Sequence, residues 1–186
     1  METFIGSGYI DCQSCDELIQ YFEDNPHKKP GRVGGPESGG GVKPKDKIST
    51  DVSMHIGNPI NSSYLKGLEK VLQSYIAKYE GCVRQKSPWT IEASYNIQKY
   101  RPGEGFFNWH CENSGFEADS KRHLAFITYL NTVKVGGGTE FKYFDVVTEP
   151  IKGNTVIFPA HWPHTHRGVV APEEVKYIAT GWFSYK

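Results

Sequence analysis

His110 stands two residues before Glu112, and His161, His164 and His166 crowd six positions further along. In an extended strand, residues i and i+2 share a face. His110 and Glu112 can therefore aim an imidazole and a carboxylate at one point. One more histidine from a neighbouring strand completes a two-histidine, one-carboxylate face. An octahedral ion held this way keeps about three positions open, which suits non-haem Fe(II) and oxygen chemistry. His164 and His166 are also two apart, so either can supply the third ligand. The three-histidine run also fits a zinc site or a surface patch, and a His-x-Glu pair alone occurs on any exposed strand.

These residues need strands to position them, and the pattern after Pro88 supplies strands. Ile91, Ala93, Tyr95 and Ile97 alternate with Glu92, Ser94, Asn96 and Gln98. Leu124 to Leu130 is almost wholly apolar, which predicts a strand covered on both faces. Gly136-Gly137-Gly138 reads as a turn. Strands are expected over 139–144, 155–158 and 175–185. The first half differs. Ser14 and Glu17 have capping-box spacing ahead of Leu18, Ile19 and Phe22, and Asn25-Pro26 ends that helix. A second helix is expected from Asn61 to Glu80. Tyr64, Leu65, Leu68, Val71, Leu72, Tyr75, Ile76 and Tyr79 form its apolar stripe, with Gly81 as the C-terminal cap. Between the helices, residues 28–47 are rich in Gly, Pro and Lys, and read as a mobile loop, either a tolerated insertion or a lid over substrate. The expectation is one domain over 1–186: a helical buttress with its Gly-rich loop in 1–88, and an all-β sandwich or jelly roll in 89–186.

Composition narrows the function classes. Of 186 residues, 21 are Lys or Arg and 21 are Asp or Glu, so the formal net charge is zero. That argues against a nucleic-acid partner held mainly by phosphate contacts. No apolar run is long enough to span a membrane, and the first ten residues carry neither a basic nor an apolar leader region, so a cytoplasmic protein is expected. Four cysteines are too few for a disulfide scaffold, and the lone Cys12-x-x-Cys15 reads as two positions near a helix start.

The region from about Ile91 to Tyr185 resembles the Fe(II)- and 2-oxoglutarate-dependent oxygenases, in particular their prolyl 4-hydroxylase-like branch. The matching pieces run in the family's order. Tyr100-Arg101-Pro102-Gly103 resembles the turn upstream of the first metal histidine. His110-Cys111-Glu112 follows, where the family usually has His-x-Asp. Tyr129-Leu130-Asn131 and Gly137-Gly138-Thr139-Glu140-Phe141 resemble its next two elements. Gly153 to Phe158 resembles the strand before the distal histidine. His166-Arg167-Gly168-Val169 resembles the distal histidine motif, and Lys176 stands ten positions after His166, where this branch carries its cosubstrate-binding base. A fainter match covers residues 47–53.

The resemblance implies a double-stranded β-helix, a cupin-like jelly roll, with flanking N-terminal α-helices. It implies Fe(II) held by His110, Glu112 and His166, with 2-oxoglutarate and O2 as cosubstrates and ascorbate as a support for turnover. Lys176 would bind the far carboxylate of 2-oxoglutarate, with Tyr129, Tyr100 and Thr139 around it. The product set is succinate, CO2 and a hydroxylated C–H of a peptide, protein or small-molecule substrate, with a peptidyl proline as the branch's suggestion. Arg167 either steers substrate or makes a surface contact. His123 and His55 match no ligand position and read as packed or hydrogen-bonded. Two other readings remain: a metal-dependent hydrolase or isomerase on the same barrel, and a β-rich binding module with incidental histidines.

Overall fold

The computed structural model describes residues 2–34, 40–84, 86–117 and 119–186. Its first helix, α1 (Cys12–Asp24), begins one residue after Asp11, whose carboxylate accepts from the Ser14 backbone N–H at 2.8 Å and the Ser14 hydroxyl at 2.7 Å. The cap is thus Asp11 and not the expected Ser14–Glu17 box, because an ionised carboxylate can satisfy the open N–H groups of the first turn unaided. Cys15, Leu18 and Phe22 form its buried face. The second helix, α2 (Ser62–Lys78), buries Tyr64, Leu68, Val71 and Tyr75, and its C-terminal cap is Tyr79 instead of Gly81. Leu65, Leu72 and Ile76 are only half-buried, since the stripe is wider than the surface it covers.

The strands, in chain order, are β1 (Gly6–Tyr9), β2 (Lys29–Pro30), β3 (Thr50–His55), β4 (Trp89–Ile91), β5 (Ser94–Tyr100), β6 (Arg122–Tyr129), β7 (Thr139–Phe141), β8 (Val146–Val147), β9 (Asn154–Pro159), β10 (His166–Gly168) and β11 (Lys176–Tyr185). Eight of them form one antiparallel sheet in the order β1-β9-β6-β11-β5-β3-β2, with β4 also paired to β11. The other three form a small antiparallel sheet, β10-β7-β8. The architecture is the expected double-stranded β-helix with helices in front. Residues 1–88, expected as a helical buttress, also supply β1, β2 and β3 to the main sheet. Of the Gly-rich segment 28–47, residues 35–39 lie outside the described residues. Its remainder contributes β2, a Val33–Gly41 bridge and the buried Lys47.

Strand parity sorts the main sheet into two faces. Leu124 and Phe126 of β6, Ile157 of β9, Ala179 and Phe183 of β11, Tyr95 and Ile97 of β5, and Val52 and Met54 of β3 point outward into one core with both helices. Tyr64 of α2 reaches through this core to the Thr128 hydroxyl at 3.0 Å. The intervening residues point the other way. Ala125, Ile127, Tyr129, Val156, Phe158 and Ile178 meet Phe141 of the small sheet in a second core between the sheets. This inner face also carries Tyr100 and the buried Lys176.

Candidate active site

His110, Glu112 and His166 offer ligand atoms that all lie within 4.8 Å of one another. Contrary to the strand expected from their spacing, His110 and Glu112 are not in a regular strand. Instead the chain around His110 runs beside β10, where the two histidines exchange backbone hydrogen bonds: His110 N donates to the His166 carbonyl at 3.0 Å and His166 N to the His110 carbonyl at 2.8 Å. Glu112 N donates to the Ala160 carbonyl at 3.0 Å, which holds the next turn of chain against the end of β9. The local backbone therefore reproduces the i, i+2 relation without a full strand.

The imidazoles are oriented from behind. Nδ1 of His110 lies 3.0 Å from the Asn108 carbonyl oxygen, and Nδ1 of His166 lies 2.9 Å from that of His164. Each Nδ1–H donates to its carbonyl, which fixes the tautomer and leaves the Nε2 lone pair facing inward. Nε2 of His166 is 3.4 Å and Nε2 of His110 is 3.7 Å from the same oxygen of Glu112, Oε1. Burial opposes the Glu112 charge, but contact with His110 and His166 outweighs it and holds the carboxyl well below its ordinary range. Burial, and His166 beside it, push the His110 imidazole down toward the neutral form. A charged carboxylate among neutral imidazoles is the state that binds a divalent cation. Phe106 stacks on His110 with ring centres 3.7 Å apart and only 8° between planes, and Phe158 meets His166 edge-on at 4.9 Å. These rings exclude water from the flanks of the site.

The choice between His164 and His166 has a geometric answer. A short 3-10 turn, Trp162–His164, breaks strand parity just before β10. His164 therefore turns away and places Nε2 2.8 Å from the Thr3 carbonyl. His161 is exposed. His123 bonds the Cys82 carbonyl and the Tyr185 hydroxyl, and His55 accepts from the Gly57 N–H, so both are hydrogen-bonded as expected.

Lys176 opens β11 on the inner face and is 4% exposed. Its Nζ donates to the Gly137 carbonyl at 3.1 Å and lies 4.7 Å from the centre of the Tyr100 ring, opposite which it pairs in register. Gly136 and Gly137 both have positive φ, and a Cβ on Gly136 would sit 2.0 Å from the Val170 carbonyl oxygen, so this turn requires glycine. Among the described residues no acid pairs with Lys176, and burial lowers its pKa to about 8. Tyr129 and Thr139 share a hydrogen bond of 2.9 Å, and the Tyr129 hydroxyl also meets Thr148 at 2.6 Å. Tyr100 donates to Gln98 at 2.7 Å. Arg167 lies on the outer side of β10, bonded to Glu140 at 2.8 Å and stacked over Trp109.

Two groups at this site had no sequence signal. Trp182 Nε1 donates to Glu112 Oε2 at 2.8 Å across 70 residues of chain. Arg122 Nη1 donates to the Glu112 carbonyl at 2.9 Å while its guanidinium stacks 3.6 Å above the Trp182 ring. The apolar–polar pattern of β11 places Trp182 on the face of Lys176, but nothing local marks which acid it meets.

Residues 95–184 match the family model described as the 2OG-Fe(II) oxygenase superfamily. A comparison with curated proteins returns no match. Among solved structures, the chain is similar to a viral collagen prolyl hydroxylase from Paramecium Bursaria Chlorella virus-1 in complex with 2OG. The TM-score is 0.68 at 18% identity, covering 97% of this chain and 95% of that one. A Pseudomonas putida prolyl-4-hydroxylase gives a TM-score of 0.70 at 16% identity, over 98% and 92% of the two chains. A Trichoplax adhaerens prolyl hydroxylase, solved with a peptide fragment of the hypoxia inducible factor oxygen degradation domain, gives 0.69 at 16% identity, over 96% and 83%. The region matched to the 2OG-Fe(II) oxygenase superfamily spans all three converging side chains and Lys176, and the chain as a whole has the fold of the prolyl hydroxylases.

Proposed function

We propose that this chain is a 2-oxoglutarate-dependent dioxygenase that hydroxylates a prolyl residue of a peptide or protein, with Fe(II) held by His110, Glu112 and His166 and 2-oxoglutarate held by Lys176. The observation that carries the proposal is the buried ammonium of Lys176, which has no acidic partner among the described residues and lies on the inner face of the main sheet, the face that meets the ligand cluster through Trp182 and Phe158. A buried charge without a counter-charge is costly, and the far carboxylate of 2-oxoglutarate supplies one. Fe(II), when bound, supplies the redox chemistry that couples O2 and 2-oxoglutarate to C–H hydroxylation.

The chain's own residues have separate tasks. The two imidazoles and Glu112 hold the cation, and the carbonyls of Asn108 and His164 keep those imidazoles turned inward. Lys176 orients the cosubstrate, and Tyr100 lends its ring face to the ammonium. Tyr129 and Thr139 form a hydroxyl pair that can turn one O–H toward the same carboxylate. Phe106, Phe141 and Phe158 keep water from the metal side. Ascorbate support of turnover, a cytoplasmic location and a single domain over 1–186 belong to the same proposal. The peptide substrate is supported by the collagen and peptide-fragment descriptions of the structural neighbours.

The test incubates purified protein with Fe(II), ascorbate, 2-oxoglutarate and a panel of peptides that includes Pro-rich ones. Succinate formed only with Fe(II) and O2, with one oxygen added to a proline, is the expected result. Metal-dependent hydrolysis without 2-oxoglutarate overturns the function. Oxygen transfer to a free amino acid and to no peptide overturns the substrate class.

A further inference from the structure

Glu112 occupies a position where the family usually has an aspartate, and its side chain is one methylene longer. A longer carboxylate has one more rotatable bond, so it can tilt away from its partners or offer both oxygens to one ion. Here it is gripped at three points. Its backbone N–H is bonded to the Ala160 carbonyl, its own carbonyl accepts from Arg122, and its Oε2 accepts from the Trp182 indole at 2.8 Å. Arg122 also presses on the other element of the grip, with its guanidinium 3.6 Å above the Trp182 ring. The grip is built into the main sheet, since Trp182 on β11 pairs with Ala125 and Arg122 on β6 pairs with Ser184. Oε1 is the oxygen left over, and it is the one that faces Nε2 of both histidines.

We infer that Trp182 and Arg122 are positioning residues that hold Glu112 as a one-oxygen ligand, so that a glutamate does at this site what a shorter carboxylate does elsewhere. Trp182 engages Oε2 and Arg122 braces both the indole and the Glu112 backbone. A single-oxygen carboxylate leaves the remaining coordination positions for cosubstrate and O2. This inference rests on the metal site assigned under the proposed function. It concerns the ligand's orientation, not the substrate.

The experiment measures Mn(II) affinity of the full chain under anaerobic conditions, by titration calorimetry and by quenching of tryptophan fluorescence. Removing a hydrogen bond to a ligand weakens metal binding roughly 10–100-fold. Trp182→Phe keeps an aromatic ring and loses the N–H donor, together with part of the indole's area. It is expected to raise the Mn(II) Kd by about tenfold with Glu112 present. In a Glu112→Asp background the carboxylate retreats from the indole, and Trp182→Phe is expected to change the Kd by less than about twofold. An equal effect in both backgrounds assigns Trp182 to plain packing and overturns the inference, as does no effect with Glu112. Arg122→Met keeps the stem over the indole and removes the guanidinium. It is expected to weaken Mn(II) binding in the same direction, and unchanged binding overturns the role of Arg122. Wild-type protein that binds no Mn(II) overturns the metal site and the grip together. Wild-type protein that binds Mn(II) but does not turn over 2-oxoglutarate overturns the function and leaves the grip standing.

Discussion

Replacing Lys176 with methionine should make the ligand-free protein more stable while abolishing its response to 2-oxoglutarate. Burial lowers the Lys176 ammonium from an ordinary 10.5 to about 8. At about 1.4 kcal/mol for each tenfold change in proton affinity, charging this lysine costs the fold roughly 3 kcal/mol. The sign follows from proton counting. Below about pH 8 both folded and unfolded chains hold the proton, and the cost is fully present. Between about 8 and 10.5 the unfolded chain keeps the proton that the folded chain releases, so stability rises with pH. Methionine removes the charge, conserves most of the volume, and gives up the bond to Gly137 and the contact with the Tyr100 ring, together worth about 1–2 kcal/mol. The net gain is about 1–2 kcal/mol near pH 7, which for a domain of this size is a rise of about 2–8 °C in Tm. The advantage should shrink as pH rises above about 8. Thermal melts with Mn(II) complete the assay. Saturating 2-oxoglutarate at about 100 times its Kd should add about 2.7 kcal/mol to wild-type protein and nothing to Lys176→Met. A variant that melts several degrees below wild type and still gains stability from 2-oxoglutarate would refute both the desolvation argument and the assigned role.

His166→Ala should abolish Mn(II) binding measurable by calorimetry while leaving far-ultraviolet circular dichroism unchanged, whereas His164→Ala should retain binding, because its ring turns to Thr3 instead of Glu112. Gly181→Ala should destabilise by about 1–3 kcal/mol in denaturant unfolding. The new methyl would meet the Tyr95 Cβ at 2.7 Å and the Phe126 Cζ at 2.8 Å in the outer core. Limited proteolysis should cut first within the Gly- and Pro-rich residues 28–47. Slower cutting with Mn(II) and 2-oxoglutarate supports a lid there, and unchanged cutting removes it.

Strands β5, β6 and β11 were readable because both of their faces are decided by burial, which writes itself as alternation or as an unbroken apolar run. The same parity put Lys176 on the face of Ile178 and Trp182. By contrast, β1 reads Gly-Ser-Gly-Tyr, with too little side chain to show a pattern, and its place comes from pairing with β9 across the whole fold. The helix cap at Asp11 was missed because two overlapping cap signals compete there and the stronger acceptor wins. Within the site, the spacing of His110 and Glu112 was informative, but His164 and His166 looked equivalent. A 3-10 turn of three residues ends on His164 just before β10 begins at His166, and such a turn leaves no periodic trace. The grip of Trp182 and Arg122 on Glu112 was invisible for a different reason. It depends on two strands and a loop meeting in space, and only the register of β6 against β11 brings them together.

The paired backbone hydrogen bonds between His110 and His166 have a further consequence. The gap between the two imidazoles is set by main-chain amides, so a cation arrives at a socket that is already shaped. Chelation should then strip the ion without melting the protein, and reloading should be fast and complete. A site built this way is expected to keep its shape when the ion is removed and to accept it again without refolding.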